Sequence, residues 1–119
     1  MKQAVACAAL SLAAGLVMAQ TKELKVGVIY DLTGPFAAGG SNASYLGTKY
    51  AIDMFNERGG AEGWKIKPVY ADAQSKADVA INEYERLVNQ EKVDMVMGVF
   101  SSAHCVPMAQ KAEAAKKFM

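Results

Sequence analysis

The chain opens with one long apolar run and then alternates short apolar segments with amphipathic ones. Residues 4–18 carry no charge, follow the basic residue Lys2, and lead into the small-residue pattern Val17-Met18-Ala19. A membrane span needs about 20 apolar residues, and this run is shorter. The pattern is typical of a secretory signal, so we predict a signal peptide at residues 1–19 and a mature chain that starts at Gln20.

Three strand-like segments alternate with three helix-like segments in the mature chain. Runs of β-branched and apolar residues predict strands at residues 24–30, 64–71 and 93–99. Apolar residues at helical spacing predict helices at about 41–58, at 75–90, and from 105–107 to 117. This alternation predicts an α/β fold in which right-handed crossovers join the strands of a parallel sheet.

The strand order follows from a proline. Pro68 lacks an amide donor, so the second strand is expected at an edge of the sheet. The first strand then lies between the other two, which gives the order 2-1-3 of flavodoxin-like sheets. Ligands of open α/β sheets bind beyond the carboxyl ends of the strands, at the point where the order reverses. We therefore predict a site between the loops at residues 31–40 and 100–104.

Charge and cysteine content exclude some partners. The chain has 13 Lys and Arg residues against 12 Asp and Glu, and loss of Lys2 with the signal leaves equal numbers. Without a clustered basic excess, no binding to nucleic acid or to an anionic lipid surface is expected. Cys105 is the only cysteine of the mature chain, so no intrachain disulfide is expected.

The start of the third helix is the strongest candidate for a binding site. Ser101 or Ser102 is expected to be its N-cap, which would leave the amides of Ala103, His104 and Cys105 pointing beyond the helix. Unpaired amides and the positive end of the helix dipole together suit an anion, such as a ligand carboxylate. The alternative is an ordinary cap with water in front of it.

Other kinds of site lack their motifs. Neither a G-x-G-x-x-G loop nor a P-loop is present, so no nucleotide cofactor is predicted, and His104 beside Cys105 has no partner pair for a metal. Residues 98–102 depart from the G-x-S-x-G elbow of α/β hydrolases, and no orienting carboxylate is identifiable. Asp72 is expected to be a cap or turn residue. We expect no enzymatic activity, and a secreted hydrolase using Ser102 and His104 is kept as the alternative.

Several motifs together resemble the start of the leucine/isoleucine/valine-type periplasmic solute-binding proteins, which serve ABC importers. They follow one another in the order of that family: Lys25-Val26-Gly27-Val28-Ile29, Thr33-Gly34-Pro35-Phe36-Ala37, Asn56-Glu57-Arg58-Gly59-Gly60, Asp72 and Gly98-Val99-Phe100-Ser101-Ser102. The resemblance implies a type I periplasmic-binding-protein fold, in which two α/β lobes close over a ligand. Because members are several times longer, residues 20–119 are expected to be the N-terminal part of one lobe, with Met119 where a fourth strand would begin.

The same resemblance assigns the site. In the family, a serine hydroxyl and backbone amides after the third strand bind the α-carboxylate of the ligand, which corresponds to Ser102 with Ser101 and Ala103 beside it. Branched-chain amino-acid binders can carry an aromatic residue near the position of Gly39, so glycine here leaves room for a different or larger ligand. His104 is expected to line the site and to tune the choice of ligand.

The function implied by the resemblance is transport. It implies a periplasmic protein, monomeric when full length, that captures a small carboxylate-bearing solute such as a branched-chain amino acid and delivers it to an ABC permease in the inner membrane. No cofactor is implied. The alternative ligands are amides, urea-like compounds and aromatic carboxylates, bound for uptake or for sensing.

We predict cleavage between Ala19 and Gln20, because the apolar run ends there in small residues. Intact-mass measurement of the periplasmic protein should give a chain that starts at Gln20. A mature protein that keeps Met1 would contradict export with processing.

Overall fold

The computed structural model describes residues 22–119, so the predicted signal peptide at residues 1–19 lies outside the described residues. Strands and helices alternate in the predicted order: β1 (Lys22–Tyr30), α1 (Asn42–Glu57), β2 (Trp64–Asp72), α2 (Ala77–Asn89), β3 (Met95–Gly98) and α3 (Ser102–Ala114). Within the described range, none of the helices combines the length and the apolar character that a membrane crossing requires.

The central strand of the sheet is β1. It pairs in parallel with β2 on one side and with β3 on the other, so the order is β2-β1-β3. The predicted α/β fold and the 2-1-3 order are confirmed. At the carboxyl ends, Tyr30 lies opposite Asp72 and Ile29 lies opposite Gly98. The loops that follow the three strands therefore leave the sheet side by side.

Two layers of helix cover the two faces of the sheet. Successive side chains of β1 alternate between these faces, as the pleat of a strand requires. Val28 points to the face covered by α1, where it packs with Ile52. Ile29 points to the opposite face and is buried with Leu87 of α2 and Met108 of α3. Burial on both sides explains why β1 reads as a nearly continuous apolar run.

The predicted start of the third helix is wrong. The periodicity predicted it at residues 105–107, but α3 begins at Ser102; its N-cap is Ser101, which confirms the cap predicted at Ser101 or Ser102. Pro107 lies inside the helix and is compatible with it, although its ring removes the amide that would bond to the carbonyl of Ala103. The cap, rather than the proline, sets where the helix starts.

The predicted end of the third helix, Lys117, is also wrong, because α3 stops at Ala114. Lys116 has a left-handed φ of 51° and its amide donates to the carbonyl of Glu113. The amide of Lys117 donates to the carbonyl of Ala112 at 2.9 Å, which completes a Schellman motif. The chain then turns back to the sheet, as described next.

Residues after α3 lie along the outer edge of β3. Phe118 forms a parallel bridge with Met95, and its carbonyl accepts a hydrogen bond of 2.9 Å from the amide of Val96. This parallel contact lies where the sequence predicts a fourth strand. The strand β3 itself is shorter than the predicted 93–99, since Gly98 and Val99 have positive φ values and end it.

The predicted loop at residues 31–40 contains an additional element. Residues Ala37–Ser41 form a short π-helical turn that runs into α1, with a kink at Gly40, where φ is 131°. The sequence predicts α1 from about residue 41, and the structure begins it at Asn42. Ser41 does not cap the helix through its side chain. Its hydroxyl belongs to the site described below.

Gly98→Ala should lower the free energy of unfolding by roughly 2 to 4 kcal/mol, from the cost of positive φ and of overpacking. A Cβ at this position would lie 2.2 Å from the carbonyl oxygen of Ile29, and φ is 114°. Gly47→Ala in α1 is the control, since a Cβ there meets nothing within 4 Å. It should raise stability by about 0.5–1 kcal/mol. Urea denaturation that gives equal effects for both variants would contradict this account.

Candidate functional site

Asp72, the last residue of β2, ties the loop after β1 to the loop after β2. Its carboxylate accepts hydrogen bonds from the amide of Leu32 at 2.9 Å, the hydroxyl of Thr33 at 2.7 Å and the amide of Gln74 at 2.8 Å. The bond to Gln74 confirms the predicted turn role. Burial opposes ionisation of Asp72, but these hydrogen bonds outweigh it and lower the pKa of the carboxyl group.

Ser75 adds a second tie between the same two loops. Its hydroxyl donates to the carbonyl of Thr33 and accepts from the amide of Phe36, both at 3.0 Å. Gly34 lies against this hydroxyl, and a Cβ there would approach Ser75 Oγ to 2.6 Å. Because Gly34 also has a φ of 83°, glycine is required at this turn.

A buried polar cluster lies beneath the loops. The amide of Asp31 donates to Ser41 Oγ at 2.8 Å, and Asp31 Oδ1 accepts from the amide of Ser75 at 2.8 Å. His104 Nδ1 lies 3.6 Å from the same carboxylate oxygen. Only 1% of Asp31 and 3% of His104 is exposed, and Ser41 is fully buried. The cluster joins β1, the π-helical turn, the loop after β2 and α3.

The first turn of α3 differs from the predicted arrangement. The structure settles which serine is the cap: Ser101 Oγ accepts from the amide of Ala103 at 3.3 Å. The Ser101 carbonyl accepts from the amides of His104 and Cys105, both at 3.0 Å. These three amides were expected to be unpaired, but the side chain and the carbonyl of the cap residue Ser101 accept from all of them. Ser102 is exposed, and its hydroxyl is not used by the cap.

Two exposed aromatic rings join the loops after β1 and β3. Phe36 is 36% exposed and Phe100 is 42% exposed, and their ring centroids are 6.5 Å apart. The ring of Phe100 also packs on Gly40, and the ring of Phe36 contacts His104 edge-on, with centroids 5.7 Å apart. The structure thus brings together the two loops between which the strand order predicts a site.

The backbone between β3 and α3 is strained. Val99 has a φ of 71°, which is unusual for a β-branched residue. A short hydrogen bond of 2.7 Å from its amide to the carbonyl of Ile29 holds this conformation. Strained residues concentrate where a fold fixes the direction of a functional segment. Here the turn directs Phe100 and Ser101 away from the end of the sheet.

The predicted site residues thus fall into two groups. Ser101, Ser102, Ala103 and His104 share the start of α3, and all but His104 are at least partly exposed. Gly39 lies in the π-helical turn, exposed, with nothing within 4 Å of a Cβ. In residues 22–119, no three His, Cys, Asp or Glu side chains converge as metal ligands. Their roles in binding stay predictions.

Sequence reasoning missed two of the three buried members of the site, Asp31 and Ser41. Asp31 is visible only as an acid at a strand end, and Ser41 only as the start of a helix. The spacing of Phe36 gives no sign that it meets Phe100. One available signal was the position of Asp31 directly after the uncharged run at residues 26–30, where an unpaired carboxylate would be costly.

Comparison with known proteins identifies the family. The family model for periplasmic binding proteins matches residues 23–119. The chain belongs to the periplasmic binding protein family. The Leu/Ile/Val-binding protein homolog 7 of Brucella suis is 34% identical over 114 residues, which are 96% of this chain and 28% of that protein. The predicted resemblance is therefore confirmed, and the chain spans about 28% of the length of this relative.

Solved structures of similar proteins confirm the fold. The branched-chain amino acid transporter substrate binding protein LivJ from Streptococcus pneumoniae, solved with isoleucine, has a TM-score of 0.76 and 30% identity. The match covers 81% of this chain and 27% of LivJ. A fatty acid ABC transporter substrate-binding protein from Thermomonospora curvata has a TM-score of 0.73 and 26% identity, covering 82% of this chain and 24% of its own. The predicted periplasmic-binding-protein fold is confirmed.

Asp72→Asn should lower the free energy of unfolding by about 1 to 2 kcal/mol at pH 7, because a neutral amide accepts weaker hydrogen bonds. Folding lowers the pKa of Asp72 below its ordinary value of 3.8. The ionised carboxylate therefore contributes its full stabilisation above pH 3.8, and this contribution is lost as the pH falls through the lowered pKa. The difference in the free energy of unfolding between wild type and Asp72→Asn should therefore become smaller at acid pH.

Asp53→Asn provides the control for this prediction. It removes the exposed Lys49–Asp53 pair on the surface of α1. Such a pair contributes under about 1 kcal/mol, so stability at pH 7 should change little. Urea denaturation at several pH values measures both variants. A constant difference between wild type and Asp72→Asn down to the acid range would contradict the role of the ionised carboxylate.

Proposed function

We propose that residues 20–119 are the N-terminal part of one lobe of a periplasmic solute-binding protein of an ABC importer. The whole protein, called the full-length protein below, captures a small carboxylate-bearing solute such as a branched-chain amino acid. It delivers that solute to a permease in the inner membrane, acts as a monomer and uses no cofactor. Family membership and the similarity to Leu/Ile/Val-binding protein homologs support this proposal.

The observation that carries the proposal is the exposed Ser102 hydroxyl at the first position of α3. Ser101 already caps the helix, so the Ser102 hydroxyl is available to donate to a ligand. The 13-residue helix behind it places the positive end of its dipole at the same point. A hydroxyl donor at a helix start suits a carboxylate that has lost its water.

The relatives support a carboxylate as the shared ligand group. LivJ is solved with isoleucine, and another similar structure is named for fatty acid transport. Both kinds of ligand carry a carboxylate but differ in their apolar part. We therefore assign the carboxylate to Ser102, with Ser101 and Ala103 beside it, and the apolar part to a separate surface.

That apolar surface favours a second class of ligand, the aromatic carboxylates. Phe36 and Phe100 expose adjoining rings, and aromatic rings stack on one another with a gain of about 0.5–1.5 kcal/mol. Gly39 leaves open space nearby, since a Cβ there would contact nothing within 4 Å. A larger, flat ligand would fill that space better than a branched aliphatic one.

The hydrolase alternative gains no support from the geometry. Ser102 and His104 are two residues apart in α3, and side chains at that spacing do not face each other on a helix. The imidazole of His104 is buried beside Asp31, whereas Ser102 is exposed. A serine nucleophile would need the imidazole within hydrogen-bond reach.

Ser102→Ala in the full-length protein should weaken ligand binding roughly ten- to a hundredfold, the range for a hydrogen bond to a charged group of about 1.5–3 kcal/mol. Its melting temperature should change little, because Ser102 is not the cap. Calorimetric titration with isoleucine and with an aromatic carboxylate measures the affinity and distinguishes the two ligand classes.

Ser101→Ala is the matched control at the neighbouring position. Loss of its cap should lower stability by about 1 kcal/mol, and it should weaken binding less than Ser102→Ala does, because the Ser101 hydroxyl already accepts from the amide of Ala103. Unaltered affinity in Ser102→Ala would move the carboxylate contact off this hydroxyl. A wild-type protein that binds no carboxylate at all, or that converts the ligand, would refute the proposed function.

A further inference from the structure

The buried pair of Asp31 and His104 has no role in the proposed contact with the ligand. His104 Nδ1 and Asp31 Oδ2 are buried, and neither forms a hydrogen bond within the described residues. Leaving buried polar atoms unpaired is costly, so folded proteins rarely keep them without a reason. Nδ1 lies 3.6 Å from Asp31 Oδ1, just beyond hydrogen-bond distance.

Asp31 is held in place by hydrogen bonds to other segments of the chain. It follows β1 directly, and its backbone amide donates to Ser41 Oγ in the π-helical turn. Its carboxylate also accepts from the amide of Ser75 in the loop after β2. Three segments of the chain therefore hold Asp31 in place.

His104 connects Asp31 to the start of α3. Its amide donates to the carbonyl of Ser101, so its backbone is part of the capped turn. The ring of Phe36 covers its imidazole edge-on. Ser102 lies two positions earlier and is exposed, so the two side chains point in different directions from the same turn. The contact between this imidazole and Asp31 thus links the capped turn that carries Ser102 to the end of β1.

We propose that His104 is a positioning residue, which holds the first turn of α3, and with it Ser102, in place by donating a hydrogen bond from Nδ1–H to the Asp31 carboxylate. A movement of a few tenths of an ångström would bring Nδ1 within the range of an N–H···O bond. A carboxylate only accepts, so the proton must be on Nδ1. This inference rests on the proposed function, because it assigns the ligand carboxylate to Ser102.

The first test reads the proton position directly in the full-length protein. Nitrogen-15 spectra of the imidazole, assigned by the signal that disappears in His104→Asn, should show a proton on Nδ1. A neutral ring protonated at Nε2 alone would overturn the proposal, because its Nδ1 lone pair would face the carboxylate. This readout does not depend on any ligand.

The second test compares affinity across three variants by calorimetric titration with isoleucine and with an aromatic carboxylate. His104→Ala should weaken binding about tenfold, as expected for loss of a hydrogen bond that positions a ligand contact. His104→Asn keeps an N–H donor near the position of Nδ1 and should restore most of that loss. Met108→Ala is the control, since Met108 is fully buried in the same helix but packs in the core cluster.

The outcomes separate this inference from the proposed function. Met108→Ala should lower the melting temperature and leave affinity unchanged. If it weakens binding as much as His104→Ala does, or if His104→Ala binds like wild type, the positioning role is overturned while the proposed function stands. If wild type binds no carboxylate, the proposed function fails, and the positioning role fails with it.

Discussion

The candidate site depends on the hydrogen bonding of β1 to both of its neighbours. Because β1 pairs in parallel with β2 and with β3, all three strands point their carboxyl ends the same way. Three loops that are far apart in sequence therefore begin side by side at one edge of the sheet. The register places Asp72 beside Tyr30 and Gly98 beside Ile29, so each loop leaves the sheet at nearly the same level.

Beyond the carboxyl ends of the strands, side-chain carboxylates replace carbonyl oxygens as acceptors of hydrogen bonds from backbone amides. Asp72 accepts from the amides of Leu32 and Gln74, and Asp31 accepts from the amide of Ser75. Backbone amides that have left a sheet need such acceptors, since a buried donor without a partner is costly. Each acid thus extends the order of the sheet into the loops, and the negative charge of Asp72 is matched by amide and hydroxyl donors.

The sequence predicts the sheet better than it predicts the ends of its helices. Pro68 and the apolar run of β1 fix the strand order, because a missing donor and two-sided burial leave few arrangements. The end of α3 was not predictable in this way, since Lys116 takes the left-handed position that glycine usually occupies. Which of the two serines caps α3 could not be read from the sequence either, because serine is a good N-cap residue at both positions.

The contacts within the buried part of the site could not be predicted for a different reason. Asp31, Ser41 and His104 meet through contacts between distant segments, and periodicity describes only one segment at a time. Acidic side chains are also rarely buried unless they are paired, so residue type alone predicts that Asp31 is exposed.

The loop after β1 is held by hydrogen bonds to Ser75 and Asp72, which belong to the protein itself. A surface that is ordered in advance loses little conformational entropy when a solute arrives, so more of the contact free energy appears as affinity. Under the proposed function, the capture rate would then be limited by diffusion and by movement elsewhere in the protein rather than by folding of these loops. Differences in affinity among related solutes would accordingly appear in how long each one stays bound.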